Sequence, residues 1–159
     1  YMEQPYFYGN QGYNFDRLPR KLITINITNA ELANPSNIYQ LLEPITIDKI
    51  SDVYIDSFIS NNLATTAVNK EIFILGIKEF NIQSVSNEPK YQNKLIIPNT
   101  TGTAAPANTV AHRSTKFNFI GTVNPTKLSS LEISLTDSND AAISGSGSVW
   151  VTFMFIARD

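Results

Sequence analysis

The closing stretch SVWVTFMFIA, Ser148 to Ala157, sets Val149, Val151, Phe153 and Phe155 on one side of an extended chain. Alternation of this kind has a period of two, which belongs to a strand and not to a helix. Just upstream, Leu128 to Thr136 (LSSLEISLT) repeats the pattern with Leu131, Ile133 and Leu135. Near the other end, Lys21 to Thr28 (KLITINIT) puts Ile23, Ile25 and Ile27 opposite Leu22, Thr24, Asn26 and Thr28. Asp52 to Ser60 (DVYIDSFIS) places Val53, Ile55, Ser57 and Ile59 against Tyr54, Asp56 and Phe58.

The intervening segments fit the same class. Glu71 to Phe80 (EIFILGIKEF) is a strongly apolar run in which Gly76 predicts a bulge or bend. Asn81 to Ser86 continues it past that bend or forms a further short strand. Lys94 to Ile97 reads as a short strand stopped by Pro98, and Thr115 to Val123 as another. Asn29 to Asn37 is turn-like, Ile38 to Leu42 reads as one helical turn before Pro44, and Ile45 and Ile47 as a brief strand. About eight strands with uneven loops and no amphipathic helix predict an all-β fold, a single jelly roll of two packed four-stranded antiparallel sheets. The expected core contains Ile23, Ile25, Ile27, Ile55, Ile74, Phe119, Leu131, Ile133, Val151 and Phe153.

A chain of 159 residues predicts one such domain, spanning 20–159, preceded by an extended N-terminal arm over 1–19. The arm opens YMEQPYFYGNQGYNF, with Tyr1, Tyr6, Phe7, Tyr8, Tyr13 and Phe15 among Gly, Asn and Gln. It follows neither periodicity, and Pro5 with two glycines blocks a regular element. Six aromatics in fifteen residues are costly to leave in water when each can bury about 150–250 Å². Tyr6, Phe7, Tyr8, Tyr13 and Phe15 are therefore expected to lie on a neighbouring subunit or underlying protein. Arg17 and Arg20 would flank the hinge between arm and domain, with Lys21, and meet carboxylates of that neighbour.

Charge narrows the function. Twelve Lys and Arg against fourteen Asp and Glu leave a net −2, and charged residues are only 16% of the chain, below the usual share of about 25%. No basic face is available for counterion release, so a nucleic-acid binder working by bulk electrostatics is excluded and no direct nucleic-acid contact is expected. The absence of Cys removes disulfides, thiolate metal sites and a Cys nucleophile. The apolar stretches Ile72 to Ile77 and Val149 to Ala157 fall far short of the roughly 18–20 residues of a helical membrane span. No charged-then-apolar signal segment opens the sequence.

Catalytic chemistry finds little to stand on. His112 is the single His, in VAHRS beside Arg113, and no partner set of metal ligands surrounds it in sequence. Asp48, Asp52 and Asp56 are acidic, but with Lys49 nearby they read as a solvated strand edge. No nucleophile elbow or phosphate loop occurs, and SGSGS at Ser144 to Ser148 reads as a flexible loop. DSND at Asp137 to Asp140 lacks the glycine and closing Glu of a calcium loop and reads as a hairpin turn. Asn26 and Asn99 begin glycosylation sequons, the first in a strand and the second in a loop. Trp150 and the tyrosines offer surfaces for stacking on sugars, although a lone Trp in an alternating strand more often belongs to the core. No enzyme activity, metal, cofactor or small-molecule substrate is expected.

The segment Lys116 to Asp137, KFNFIGTVNPTKLSSLEISLTD, together with VWVTFMFIARD, resembles small single jelly-roll capsid proteins of large double-stranded DNA viruses. The matching positions are Phe117, Asn118, Phe119, Asn124, Pro125, Leu131, Ile133, Leu135, Thr136, Asp137, Phe153, Phe155 and Ile156, in the last third of the chain. The resemblance implies a structural protein of the virion, either a penton at the five-fold vertices of an icosahedral particle or a minor capsid protein cementing capsomers. It implies a homopentamer in contact with neighbouring major and minor capsid proteins. The composition agrees, since uncharged polar surface costs less to desolvate at an interface than Lys or Glu. A carbohydrate- or receptor-binding jelly roll is the alternative, and the symmetry of the assembled molecule separates the two.

Overall fold

The computed structural model describes residues 20–61, 71–98, 109–143 and 147–158. Eight strands follow in chain order: β1 (Arg20–Ile27), β2 (Ser36–Ile47), β3 (Ser51–Asn61), β4 (Ile72–Ile77), β5 (Leu95–Pro98), β6 (Thr109–Val123), β7 (Thr126–Thr136) and β8 (Ser148–Ala157). They form two four-stranded sheets, ordered β1-β8-β3-β6 and β2-β7-β4-β5, with every pairing antiparallel. Within them β1 pairs with β8, β2 with β7, β3 with β6 and β4 with β5. The chain is thus one long antiparallel hairpin whose rungs are laid alternately in the two sheets. That is the jelly roll expected from the alternation.

The core lies between the sheets. Ile23, Ile25 and Ile27, Val149, Val151, Phe153 and Phe155 face Phe73, Leu75 and Ile77, Leu131, Ile133 and Leu135 across it. Phe58 of β3 meets Phe73 of β4 at 5.8 Å between ring centroids. Phe80, just past β4, sets its ring edge-on to Phe153 at 5.1 Å and Phe155 at 5.4 Å. One end is closed by Leu32 of α1 (Asn29–Leu32), a single turn in which Glu31 Oε1 accepts hydrogen bonds from Thr28 N and Oγ1. Tyr39 also enters the core. Burial, reinforced by Glu31, pushes its phenol up to about 12; nearby Asn37 lowers it in part, yet no hydrogen bond of good geometry reaches the hydroxyl.

Several local expectations are corrected, mostly at irregularities that periodicity alone hides. Ile38 to Leu42 belongs to β2 and not to a helical turn, and Pro44 sits where the ladder opens. Gln40 pairs with Ser130 and Ile45 with Leu128, so Leu41 to Pro44 bulge out opposite Ser129. A proline cannot donate to a ladder, and a bulge is where a strand accommodates one. In β3 the register shifts between Ile55 and Ser57, which turns Phe58 inward and Ile59 outward, reversing the expected faces beyond Asp56. In β6, Gly121 opposes Val53 while Phe119 opposes Tyr54, making Ile120 the extra residue. Phe119 therefore points away from the core and is 55% exposed, while Ile120 packs against it.

Gly76 marks no bulge, since β4 pairs with β7 in unbroken register from Ile74 to Ile77. Its lack of a side chain makes room for the Lys94 stem, whose Cδ would lie 2.5 Å from an added Cβ. Asn81 to Ser86 forms no strand beyond a lone bridge, in which Asn81 N donates to Thr122 O at 2.7 Å.

Candidate assembly surface

An antiparallel sheet that packs on one face ordinarily turns polar residues to solvent on the other. The sheet β1-β8-β3-β6 departs from that rule. Its register aligns Leu22, Met154, Tyr54 and Phe119 in one row across all four strands on the outer face. Tyr54 and Phe119 meet edge to face at 5.9 Å. Leu22 is 57% exposed, whereas Met154, in the middle of the row, is 4% exposed although it lies outside the inter-sheet core. Thr24 and Thr152 share a hydrogen bond of 3.0 Å in the next row. Beyond them Asn26, Trp150 and Ile59 align, with Trp150 37% exposed. Trp150 is thus outward-facing and not a core residue.

At the opposite margin the row Arg20, Ile156 and Asp52 borders the patch. Arg158 Nε donates to Asp52 Oδ1 at 2.7 Å there, and its backbone N donates to Ile50 O. The outer face is therefore an apolar band bounded by polar groups at one end, the anatomy of a contact surface.

Of the contact residues expected from sequence, Arg20 is described: it opens β1 at the edge of this sheet, exposed and opposite Ile156. Tyr6, Phe7, Tyr8, Tyr13, Phe15 and Arg17 lie outside the described residues. Leu22, Tyr54, Met154, Phe119 and Trp150 were not foreseen as contacts. Their signal is the unbroken run Phe153-Met154-Phe155-Ile156 in β8, because a strand covered on both faces loses its alternation.

Concavities also border the sandwich. A cleft of about 500 Å³ runs beside Gly76 between Lys78, Asn81, Lys94 and Glu132. On its rim Lys78 pairs with Glu132 at 3.5 Å, and Glu79 Oε1 accepts Glu132 N at 2.8 Å. A shallower groove separates β1 from the β2 bulge, along Leu22, Leu41, Leu42 and Pro44, and the Lys21 Nζ donates to Thr46 O across one end of it. Among the described residues, no group of three or more His, Asp or Glu side chains is placed to hold a metal ion. The Asp137 carboxylate, the one resembling a calcium ligand, accepts Asn139 N at 2.9 Å and Ala141 N at 3.1 Å, and so builds the turn. His112 falls in β6 opposite Phe58. Among the described residues, no helix is long and apolar enough to cross a membrane.

No protein-family model and no curated protein matches the chain. Among solved structures, the core of Drosophila NLP, described as giving insight into pentamer formation and histone binding, aligns at 16% identity. That alignment covers 89% of this chain and 100% of the other, with a TM-score of 0.30. A nora virus structure aligns at 14% identity over 89% of this chain and 64% of the other, with a TM-score of 0.20. Superpositions this loose carry no inference about assembly or ligand. The fold itself rests on the strand pairing: two four-stranded antiparallel sheets in jelly-roll order.

Proposed function

We propose that this chain is a structural subunit of an icosahedral virus particle, a penton that assembles as a homopentamer at the five-fold vertices among neighbouring major and minor capsid proteins. The observation that carries the reading is the apolar row Leu22, Met154, Tyr54 and Phe119 on the outside of a jelly-roll sheet. A domain with a complete core between its sheets gains nothing by making a third apolar layer, unless that layer is covered by another chain. The low charge of the sequence favours such covering, and the resemblance in the C-terminal third supplies the viral context. Function in this reading is geometric: one surface repeated by rotation closes a ring. The chain does its work by packing, without catalysis or cofactor.

The test is stoichiometry and position. The purified chain should give five chain masses by light scattering and native mass spectrometry, and a label on it should decorate particle vertices in electron micrographs. A free trimer would favour the receptor-binding alternative, and a label spread over the capsid faces would favour a cementing minor capsid protein.

A further inference from the structure

We propose that the outer face of the β1-β8-β3-β6 sheet is the seat for the aromatic arm, residues 1–15, of a second copy of this chain. The proposal rests on the assembly reading above but not on its five-fold symmetry. Three observations converge. The face carries apolar side chains in two rows, Leu22, Met154, Tyr54 and Phe119 in one, Trp150 and Ile59 in the other. β8 has lost its polar alternation where the first row crosses it, the pattern of a strand covered on both sides. The chain also supplies further apolar material, six aromatics in the first fifteen residues, ahead of the described residues whose side chains build the inter-sheet core.

The sizes agree. Five aromatic side chains at about 150–250 Å² each approach the roughly 800 Å² per partner of a standard interface. Aromatic rings bury that area while ordering few torsions, and the interleaved Gly, Asn and Gln let the backbone lie close to a flat sheet. Exchange between copies follows from where the arm is attached. β1 begins at Arg20, at the end of the sheet beside Ile156. A chain that continues the line of β1 beyond Arg20 leaves the sheet at that end, and only a reversal there would lay it back across its own face. Nineteen residues reach up to about 63–68 Å when extended, enough to cross a neighbouring domain whose strands of ten residues span about 33 Å.

Trp150 is the single Trp of the chain and lies on the proposed seat, so its emission reports occupancy directly. The experiment follows Trp150 emission and sedimentation of the full chain over a dilution series. It compares wild type with a triple arm variant, Tyr6→Ser, Phe7→Ser and Tyr8→Ser, and with two face variants, Phe119→Ser and Leu22→Ser. Both face positions are more than half exposed, and far-ultraviolet circular dichroism checks that each variant folds. The expected result is a concentration-dependent blue shift in wild type that sediments with association. Both changes should weaken about tenfold or more in the arm variant and in at least one face variant, as loss of central aromatic anchors does. A blue shift independent of concentration but lost in the arm variant would place each arm on its own domain and overturn exchange. Association unaffected by the arm variant would make the face a sheet-to-sheet contact and overturn the arm as occupant. No shift over the series would overturn the seat altogether. A clean exchange in a dimer or trimer would uphold the seat while refuting the pentamer.

Discussion

Adding one methyl group at Gly121 tests how tightly the segment after β4 is strapped to β6. A Cβ there would lie 2.6 Å from the Asn81 carbonyl oxygen and 3.0 Å from its carbon, with Ile82 Cα at 3.3 Å. All three are backbone atoms of a segment held by Asn81 N donating to Thr122 O at 2.7 Å, with Phe80 wedged against Phe153 and Phe155 beside it. Real Cβ contacts do not come so close, so Gly121→Ala must push the strap outward or tilt β6. Overpacking of this sort costs about 1–3 kcal/mol. Gly76→Ala is the internal control. Its Cβ also meets atoms within 3 Å, but they are Lys94 Cδ and Cε and Ser134 Oγ, ends of side chains that can swing aside. Ala is also favoured over Gly in a strand by roughly 0.5–1 kcal/mol, which offsets that rearrangement. Gly76→Ala should therefore stay within about 1 kcal/mol of wild type. Urea unfolding followed by Trp150 emission and circular dichroism measures both. With a slope of about 2 kcal/mol/M, a 2 kcal/mol loss moves the midpoint by roughly 1 M. Equal midpoints for the two variants, or a larger drop for Gly76→Ala, would refute the strap.

Phe153→Ala should cost about 3–5 kcal/mol, as a buried aromatic does, while Phe119→Ala should change the stability of the isolated domain by under about 1 kcal/mol; thermal and urea melts compare them. Asp137→Ala removes the acceptor of Asn139 N and Ala141 N in the β7–β8 connection and should destabilise by about 1–3 kcal/mol, read from the same melts. Tyr39→Phe removes a buried hydroxyl without a well-formed partner and should be neutral or stabilising by about 1 kcal/mol near neutral pH. The Tyr39 phenol is raised from 10.0 to about 12 in the folded protein, so between those values the folded chain keeps a proton that the unfolded chain releases. Stability is full below pH 10 and declines as pH rises through 12; urea titrations at pH 9 to 12 should show a shallower alkaline decline in Tyr39→Phe, and identical slopes would contradict the assignment.

The strands that pack the core announced themselves because burial on one face imposes a period of two, kept by Ile23, Ile25 and Ile27 in β1, by Leu131, Ile133 and Leu135 in β7, and by the first half of β8 up to Phe153. What periodicity could not show were the interruptions. The bulge at Leu41 to Pro44 reads locally as a helix end, since a proline carries the same stop signal in either context, and only its partner strand reveals a ladder on both sides. The shifts after Ile55 and at Ile120 are equally invisible in sequence, because they depend on how many residues the neighbouring strand offers. For that reason Phe119 reads in sequence as a core residue, whereas it belongs to the candidate surface. The outer row was partly legible in Phe153-Met154-Phe155-Ile156. Its alignment with Leu22 and Tyr54 required the register, which joins residues far apart in the chain.

That separation has a consequence for how the protein is made. Thr24 and Thr152 touch across β1 and β8 although they stand 128 positions apart in the chain. At a translation rate of about 5–20 residues per second, β1 waits roughly 6–26 s for β8, its sheet neighbour among the described residues, to be synthesised. During that interval Ile23, Ile25 and Ile27 have no completed sheet to enter, and their backbone edge is open to any strand nearby. On a polysome the strands nearby belong to sister chains at other stages of synthesis. A domain closed by β8 is therefore vulnerable to mispairing until β8 emerges, and expression at lower temperature or with a holding chaperone should raise the yield of folded domain more than a stronger promoter does.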